Sequence, residues 1–194
     1  METNATRKRR ERLVPLLKDS AEEVRLAAAR ALERLEGLGS FDEVVELLRK
    51  GDLGTKVRAI YALGRIGGDR VLPPLLYCAS RPEEDIKSAA IEVLGELAPP
   101  RAFPLLADRL SEQNTAVKAK VIAALGGYPG AETVQLLLPF LTAGDGLLDA
   151  EAAQSLGRIG APNLEERIAP LLDSPHPRTR EAAATALGML PLEG

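Results

Sequence analysis

The apolar positions of this chain recur with a fixed period. A step that reads Ala-Leu in most copies, usually followed by Gly, places a marker leucine at Leu32, Leu63, Leu94, Leu125, Leu156 and Leu187, 31 residues apart each time. The columns around it agree. Four residues before the marker stand Ala28, Ala59, Ala90, Val121, Ala152 and Ala183; eight before stand Val24, Thr55, Ile86, Val117, Leu148 and Thr179; three after stand Leu35, Ile66, Leu97, Tyr128, Ile159 and Leu190. Offsets of −8, −4, 0 and +3 fall on one face of an α-helix. The small residues at −4 and −1 let a neighbouring helix come close. The glycine after the marker is read as lying in the last turn and, with Gly67 and Gly160, as loosening and ending the helix.

A second amphipathic stretch precedes each of these. Leu13, Val44, Leu75, Leu106, Leu137 and Ile168 stand nineteen residues before the marker, and Leu17, Leu48, Ala79, Leu110, Leu141 and Leu172 stand fifteen before it. The i, i+4 pairing marks the core side of a first helix. Short polar or Pro/Gly segments lie between the two, among them Gly51-Asp52, Arg81-Pro82 and Pro175-His176-Pro177. Ser20 with Glu23, Ser40 with Glu43 and Ser80 with Glu83 have capping-box spacing. Each 31-residue unit therefore predicts helix, turn, helix, and a fixed period of this kind signals stacked repeats.

Composition narrows the picture. Hydrophobic residues make up 45% of the 194, enough for a core, but only 3% are aromatic and there is no Trp. Such Leu/Ala/Val/Ile-rich content suits packed helices better than strands. A formal net charge of −3 does not suit a dedicated nucleic-acid or membrane-surface protein. No apolar run approaches the ~20 residues needed to span a bilayer. Residues 1–10 read as a polar, basic leader without a signal peptide's apolar stretch, and 11–194 as a single repeat domain. One cysteine, Cys78, fits a reducing, cytoplasmic setting.

Phrases such as Val24-Arg25 followed by Ala27-Ala28-Ala29-Arg30-Ala31-Leu32, Ala62-Leu63-Gly64-Arg65-Ile66-Gly67, Leu13-Val14-Pro15-Leu16-Leu17 and Ile168-Ala169-Pro170-Leu171-Leu172 resemble the HEAT-like repeats of phycobilisome-lyase type. The resemblance covers residues 11 to 190. It implies an all-α, right-handed α-α superhelix, an armadillo-like α-solenoid of about six 31-residue repeats. The shared motif is structural, so it does not by itself carry an activity.

Side chains for catalysis are sparse. His176, the one histidine, lies between two prolines in a predicted turn, and Cys78 falls in an apolar first-helix column as a small buried hydrophobe. The glycines follow helices rather than open them, so no phosphate loop is present. HEAT-like iron hydroxylases carry His-Glu pairs, of which this chain has none, and HEAT-like DNA glycosylases rely on Trp. Glu22-Glu23 and Glu83-Glu84-Asp85 read as carboxylates at the positive end of a second helix, not as cation sites. No catalytic, cofactor or metal residue is assigned, and no cofactor is expected.

A basic column seven before the marker, Arg25, Lys56, Lys87, Lys118 and Arg180, suggests a charge ladder between repeats. Asp149 breaks it, in a loop read as a local irregularity. The resemblance also implies that second helices line a concave binding side. Their face opposite the core holds offsets −9, −6, −5, −2 and +2. On that face repeats one and two present Leu26, Val57 and Tyr61 among Arg30, Arg34, Arg58 and Arg65; repeat three turns acidic with Glu92 and Glu96. Tyr and Arg are enriched at binding hot spots, and a sign change suits a protein segment better than a phosphate backbone.

The expected function is a non-catalytic protein-interaction scaffold in a bacterial-type cytoplasm, with these nine residues binding the partner. Alternatives are a bilin or tetrapyrrole lyase or lyase subunit, which the family name suggests, and a nucleic-acid-binding module. Repeat six ends on a helix with one charge in ten residues, Glu181 to Leu190, and is expected to dock a partner or a second copy.

Overall fold

A computed structural model describes residues 4–191, with side chains described except at 4–6, 30, 33, 34 and 36–39. It is all-helical, with no strand among the described residues. The chain divides into two compact units, Met1–Val71 and Leu72–Gly194.

In the first unit, α1 (Asn4–Leu13) leads into a 3₁₀ turn (Val14–Lys18), followed by α2 (Glu22–Lys50) and α3 (Leu53–Ile66). The break expected at Ser40 does not occur: α2 runs as one 29-residue helix through the end of repeat one and the first helix of repeat two. Ser40 lies inside it with helical backbone, so it is no N-cap, since a cap residue needs extended φ/ψ. Good helix formers flank the site on both sides, Ala27 to Leu35 before it and Glu43 to Lys50 after it. Their continuous hydrogen bonding offsets the ~1 kcal/mol that each intervening glycine costs. Asp52 then caps α3, accepting from the Thr55 N–H at 2.8 Å. The chain beyond α3 returns to the middle of α2, where the Arg70 guanidinium lies 4.5 Å from the Phe41 ring centre and 3.5 Å from the Asp42 carboxylate.

The second unit holds four helix pairs. The first helices are α4 (Leu72–Ala79), α6 (Phe103–Asp108), α8 (Ala131–Leu137) and α10 (Glu165–Ile168); the second helices are α5 (Glu84–Leu97), α7 (Thr115–Leu125), α9 (Leu148–Ile159) and α11 (Pro177–Met189). Each first helix packs on its own second helix, and α5, α7, α9 and α11 pack in succession. The first helices are short because α8 and α10 tighten into 3₁₀ turns at Leu138–Thr142 and Ala169–Asp173. Pro139 and Pro170 enter those turns, and a proline can neither donate to the i−4 carbonyl nor fit its ring past it.

Burial follows the columns. Leu94, Leu125 and Leu156 are fully buried, as is Leu63 in the first unit, and all six residues at −4 are buried. Leu32 and Leu187, in the first and last repeats, are half-buried. The +3 column is looser, with Leu97 exposed. Two further capping boxes are absent. The Ser80 hydroxyl donates to the Leu76 carbonyl, and Glu83 is the N-cap of α5 without a side-chain cap bond. Ala21, not Ser20, precedes α2, and its N–H donates to Asp19. Besides Asp52, Asn114 caps α7, accepting from Ala116 and Val117, and Asp145, ahead of α9, accepts from Leu147 and Leu148.

Of the glycines after the marker, Gly126 is the C-cap that ends α7, as read from sequence, whereas Gly95 and Gly157 do not end their helices. Gly95 and Gly157 lie within α5 and α9, where a Cβ would fall 2.5 Å from the Ala124 Cα and 2.6 Å from the Ala186 Cα. Gly126 meets Ser155 in the same way, at 2.8 Å from its hydroxyl. The glycine of one repeat thus seats the −1 residue of the next. In repeats two and five termination falls to Gly67 and Gly160, at φ 64° and 63°, as read from sequence. Ala98 occupies the equivalent position of repeat three in left-handed conformation, φ 44° and ψ 46°.

Polar groups tie successive repeats of this unit. The Tyr128 hydroxyl donates to the Leu94 carbonyl at 3.1 Å, its ring centre lies 5.6 Å from that of Phe103 in a tilted contact, and burial pushes its phenol up to about 12. The Ser155 hydroxyl donates to the Ile122 carbonyl. In the −7 column, Lys87 pairs with Glu112 of the next repeat at 3.0 Å, with Arg109 adding a contact at 3.2 Å. Arg180 instead donates to the Ser174 and Pro175 carbonyls of its own turn, as Arg25 in the first unit does to those of Asp19 and Ser20. Asp149 breaks the basic column as a buried acceptor for the Thr179 hydroxyl of the following repeat at 3.1 Å, and the loop before it is irregular, with Gly144 and Gly146 at positive φ.

Candidate functional site

The nine residues singled out from sequence fall in both units. Leu26 lies on α2, 51% exposed, whereas Val57, Arg58, Tyr61 and Arg65 lie on α3. Val57 and Tyr61 are half-buried, while Arg58 and Arg65 are exposed. Arg58 donates to the Thr55 hydroxyl at 3.0 Å. Arg30 and Arg34 lie outside the described side chains.

Glu92 and Glu96, in the second unit, line a groove of about 450 Å³. Its floor is small: Gly95, Ala116, Ala119, Ala123 and Ala124. Small residues appear there because the second helices approach closely, and the outward offsets −9, −6 and −2 of repeat four are all alanine. Charged side chains stand around the floor. Glu92 reaches Lys120 at 2.6 Å, bridging repeats three and four. Glu151 pairs with Arg178, bridging repeats five and six. The Arg158 guanidinium donates through Nη2 to the Ala123 carbonyl at 2.9 Å and the Ser155 hydroxyl at 3.1 Å, closing the C-terminal turn of α7.

Lys120, Glu151, Arg158 and Arg178 complete this site although the sequence reading did not select them. They occupy the outward offsets −5, −5, +2 and −9, so their face was readable. The signal that marks them is opposite charge at 28 and 27 residues' separation, Glu92 to Lys120 and Glu151 to Arg178, which puts partners on adjacent helices. Selection for Tyr and clustered Arg led to repeats one and two instead.

Elsewhere, Cys78 is buried at 2% exposure. His176 precedes α11, and its Nε2 lies 3.2 Å from the Gly144 carbonyl oxygen. Among the described residues no group of His, Cys, Asp or Glu is placed to hold a metal ion. No helix of the described residues is long and apolar enough to cross a membrane. At repeat six, Met189 is 51% exposed and nothing lies within 4 Å of where a Gly188 Cβ would be.

Comparison with known proteins identifies the repeat. A family model described as HEAT repeats matches residues 10–88, 72–147 and 134–194. No curated protein matches the chain in sequence. Among solved structures, one engineered protein is similar at TM-score 0.55 and 21% identity, covering 96% of this chain and 96% of its own. A second engineered protein is similar at TM-score 0.53 and 22% identity, covering 95% of this chain and 58% of its own. Human deoxyhypusine hydroxylase follows at TM-score 0.38 and 16% identity, covering 95% and 96%.

Proposed function

The chain belongs to the HEAT-repeat family, and from that premise we propose that it is a non-catalytic protein-binding scaffold whose contact surface is the groove on α5, α7, α9 and α11. One observation supports this above the rest. Four successive second helices line the groove, its floor of glycine and alanine coming from α5 and α7 and bounded by charged side chains and Leu147. A floor without long side chains leaves room for a partner's own, and stacked repeats commonly bind through such extended surfaces. The Glu92–Lys120 and Glu151–Arg178 pairs hold neighbouring helices in register, so the surface is pre-organised and loses little entropy on binding.

Photo-crosslinking from inside the groove tests the reading. A benzophenone amino acid at Ala116, exposed on the floor, is expected to capture a specific protein in extract of the source cells. The same group at Glu166, exposed on α10, should not. Equal capture from both positions, or none from Ala116, would count against the groove as the contact surface.

A further inference from the structure

The geometry points to a mixed-charge polypeptide segment as the groove's occupant: an extended stretch laid across α5, α7 and α9, with a basic residue over Glu96 and an acidic residue over Arg158. This rests on the groove being the contact surface and adds the chemistry of what fills it. Four of the six charges around the floor are committed to each other, in the Glu92–Lys120 and Glu151–Arg178 pairs. Glu96 and Arg158 remain. Glu96 is exposed, lines the groove and makes no ion pair among the described residues. Arg158 is exposed and spends only Nη2 on the protein's own acceptors, so its other N–H groups are uncommitted among the described residues.

The two residues stand at the same offset, +2, of repeats three and five, with Gly127 at that offset in repeat four between them. Arg158 reaches back from α9 over the end of α7, where it holds the Ala123 carbonyl, and successive packed helices lie roughly 8–10 Å apart, so its guanidinium is about one helix spacing from α5 and Glu96. An extended chain advances about 3.3 Å per residue, so about three residues separate the two complementary charges. The residues between them pass over the glycine and alanine floor of α5 and α7, where small or flat side chains fit. The ends differ in sign, so the segment has one direction. A uniformly charged polymer such as nucleic acid would gain at Arg158 what it lost at Glu96.

Selection of a random twelve-residue display library on the intact chain tests this. Enriched sequences should carry Lys or Arg and, about three positions away, Asp or Glu, in one order. With a fluorescein-labelled enriched peptide, Glu96→Lys should weaken binding about fivefold, the scale of one exposed ion pair. A peptide whose basic residue is changed to Glu should recover that loss on Glu96→Lys and bind wild type poorly. This rescue separates charge recognition from any effect on folding. Ala116→Trp, at an exposed floor position, should block all of these peptides. Peptides blocked by Ala116→Trp but indifferent to charge at 96 and 158 overturn the inference and leave the groove as the contact surface. Peptides that ignore Ala116→Trp overturn both. If no sequence is enriched, the segment inference fails, and crosslinking from Ala116 separately decides the groove.

Discussion

Gly95 lies so close to Ala124 that a Cβ on the glycine would fall 2.5 Å from the alanine Cα. The relation recurs between Gly157 and Ala186, and in part between Gly126 and Ser155. It sets how near two second helices of neighbouring repeats can come.

A paired substitution follows. Gly95→Ala and Gly157→Ala should each destabilise by about 1–3 kcal/mol through overpacking, despite alanine's better helix propensity. Gly188→Ala, with open space at the same column, should instead stabilise by ~0.4–1 kcal/mol. Urea unfolding followed by circular dichroism reads both signs; the same sign at all three sites would contradict the seating.

Ala98 takes the left-handed C-cap conformation that Gly160 takes in repeat five. An L-residue there costs roughly 1–2 kcal/mol. Ala98→Gly should therefore raise stability by about 1 kcal/mol, and the equivalent Gly160→Ala should lower it by a similar amount. Denaturant midpoints of the two variants check this.

The Lys87–Glu112–Arg109 cluster should give a pH signature. Burial pushes the Glu112 carboxyl up, but Lys87 first and then Arg109 outweigh it and hold the group below its ordinary 4.5. A carboxylate whose folded value is depressed adds stability above its unfolded value and loses it as pH falls through the folded one. Glu112→Gln, which leaves the nearly buried Lys87 without its counter-charge, should cost about 3 kcal/mol at neutral pH. That penalty should shrink as pH falls below 4.5 and wild-type Glu112 takes up its proton. Thermal unfolding of both proteins across that range measures it; a penalty constant with pH would be inconsistent with the ion pair.

The marker column is graded. Leu94→Ala and Leu125→Ala remove fully buried side chains and should each cost ~2–5 kcal/mol. Leu187→Ala, at a half-buried position, should cost clearly less, because less apolar area leaves water there. Equilibrium unfolding of the three variants gives the order.

Sequence alone determined the 31-residue period, the helix-turn-helix unit and the inward columns at −8, −4 and 0. These depend on side-chain spacing within one helix, which the chain carries locally. It also marked the outward offsets on which Glu92, Lys120, Glu151, Arg158 and Arg178 stand. Tertiary structure alone decided which of them meet. Lys120 finds Glu92 because packing sets α5 against α7, and no local pattern carries that distance. Gly95 and Gly157 were misread for the same reason: a helical glycine looks like a terminator until the Cα of Ala124 or Ala186 occupies the space of its missing Cβ. The uninterrupted α2 belongs here too. A capping box at Ser40 and Glu43 is a local preference of about 1 kcal/mol, and a continuous helical hydrogen-bond ladder on both sides outweighed it. Asp149 was readable as a break in the basic column, but not as a buried acceptor for Thr179 thirty residues away, because the polarity a buried position tolerates depends on the partner that packing brings to it.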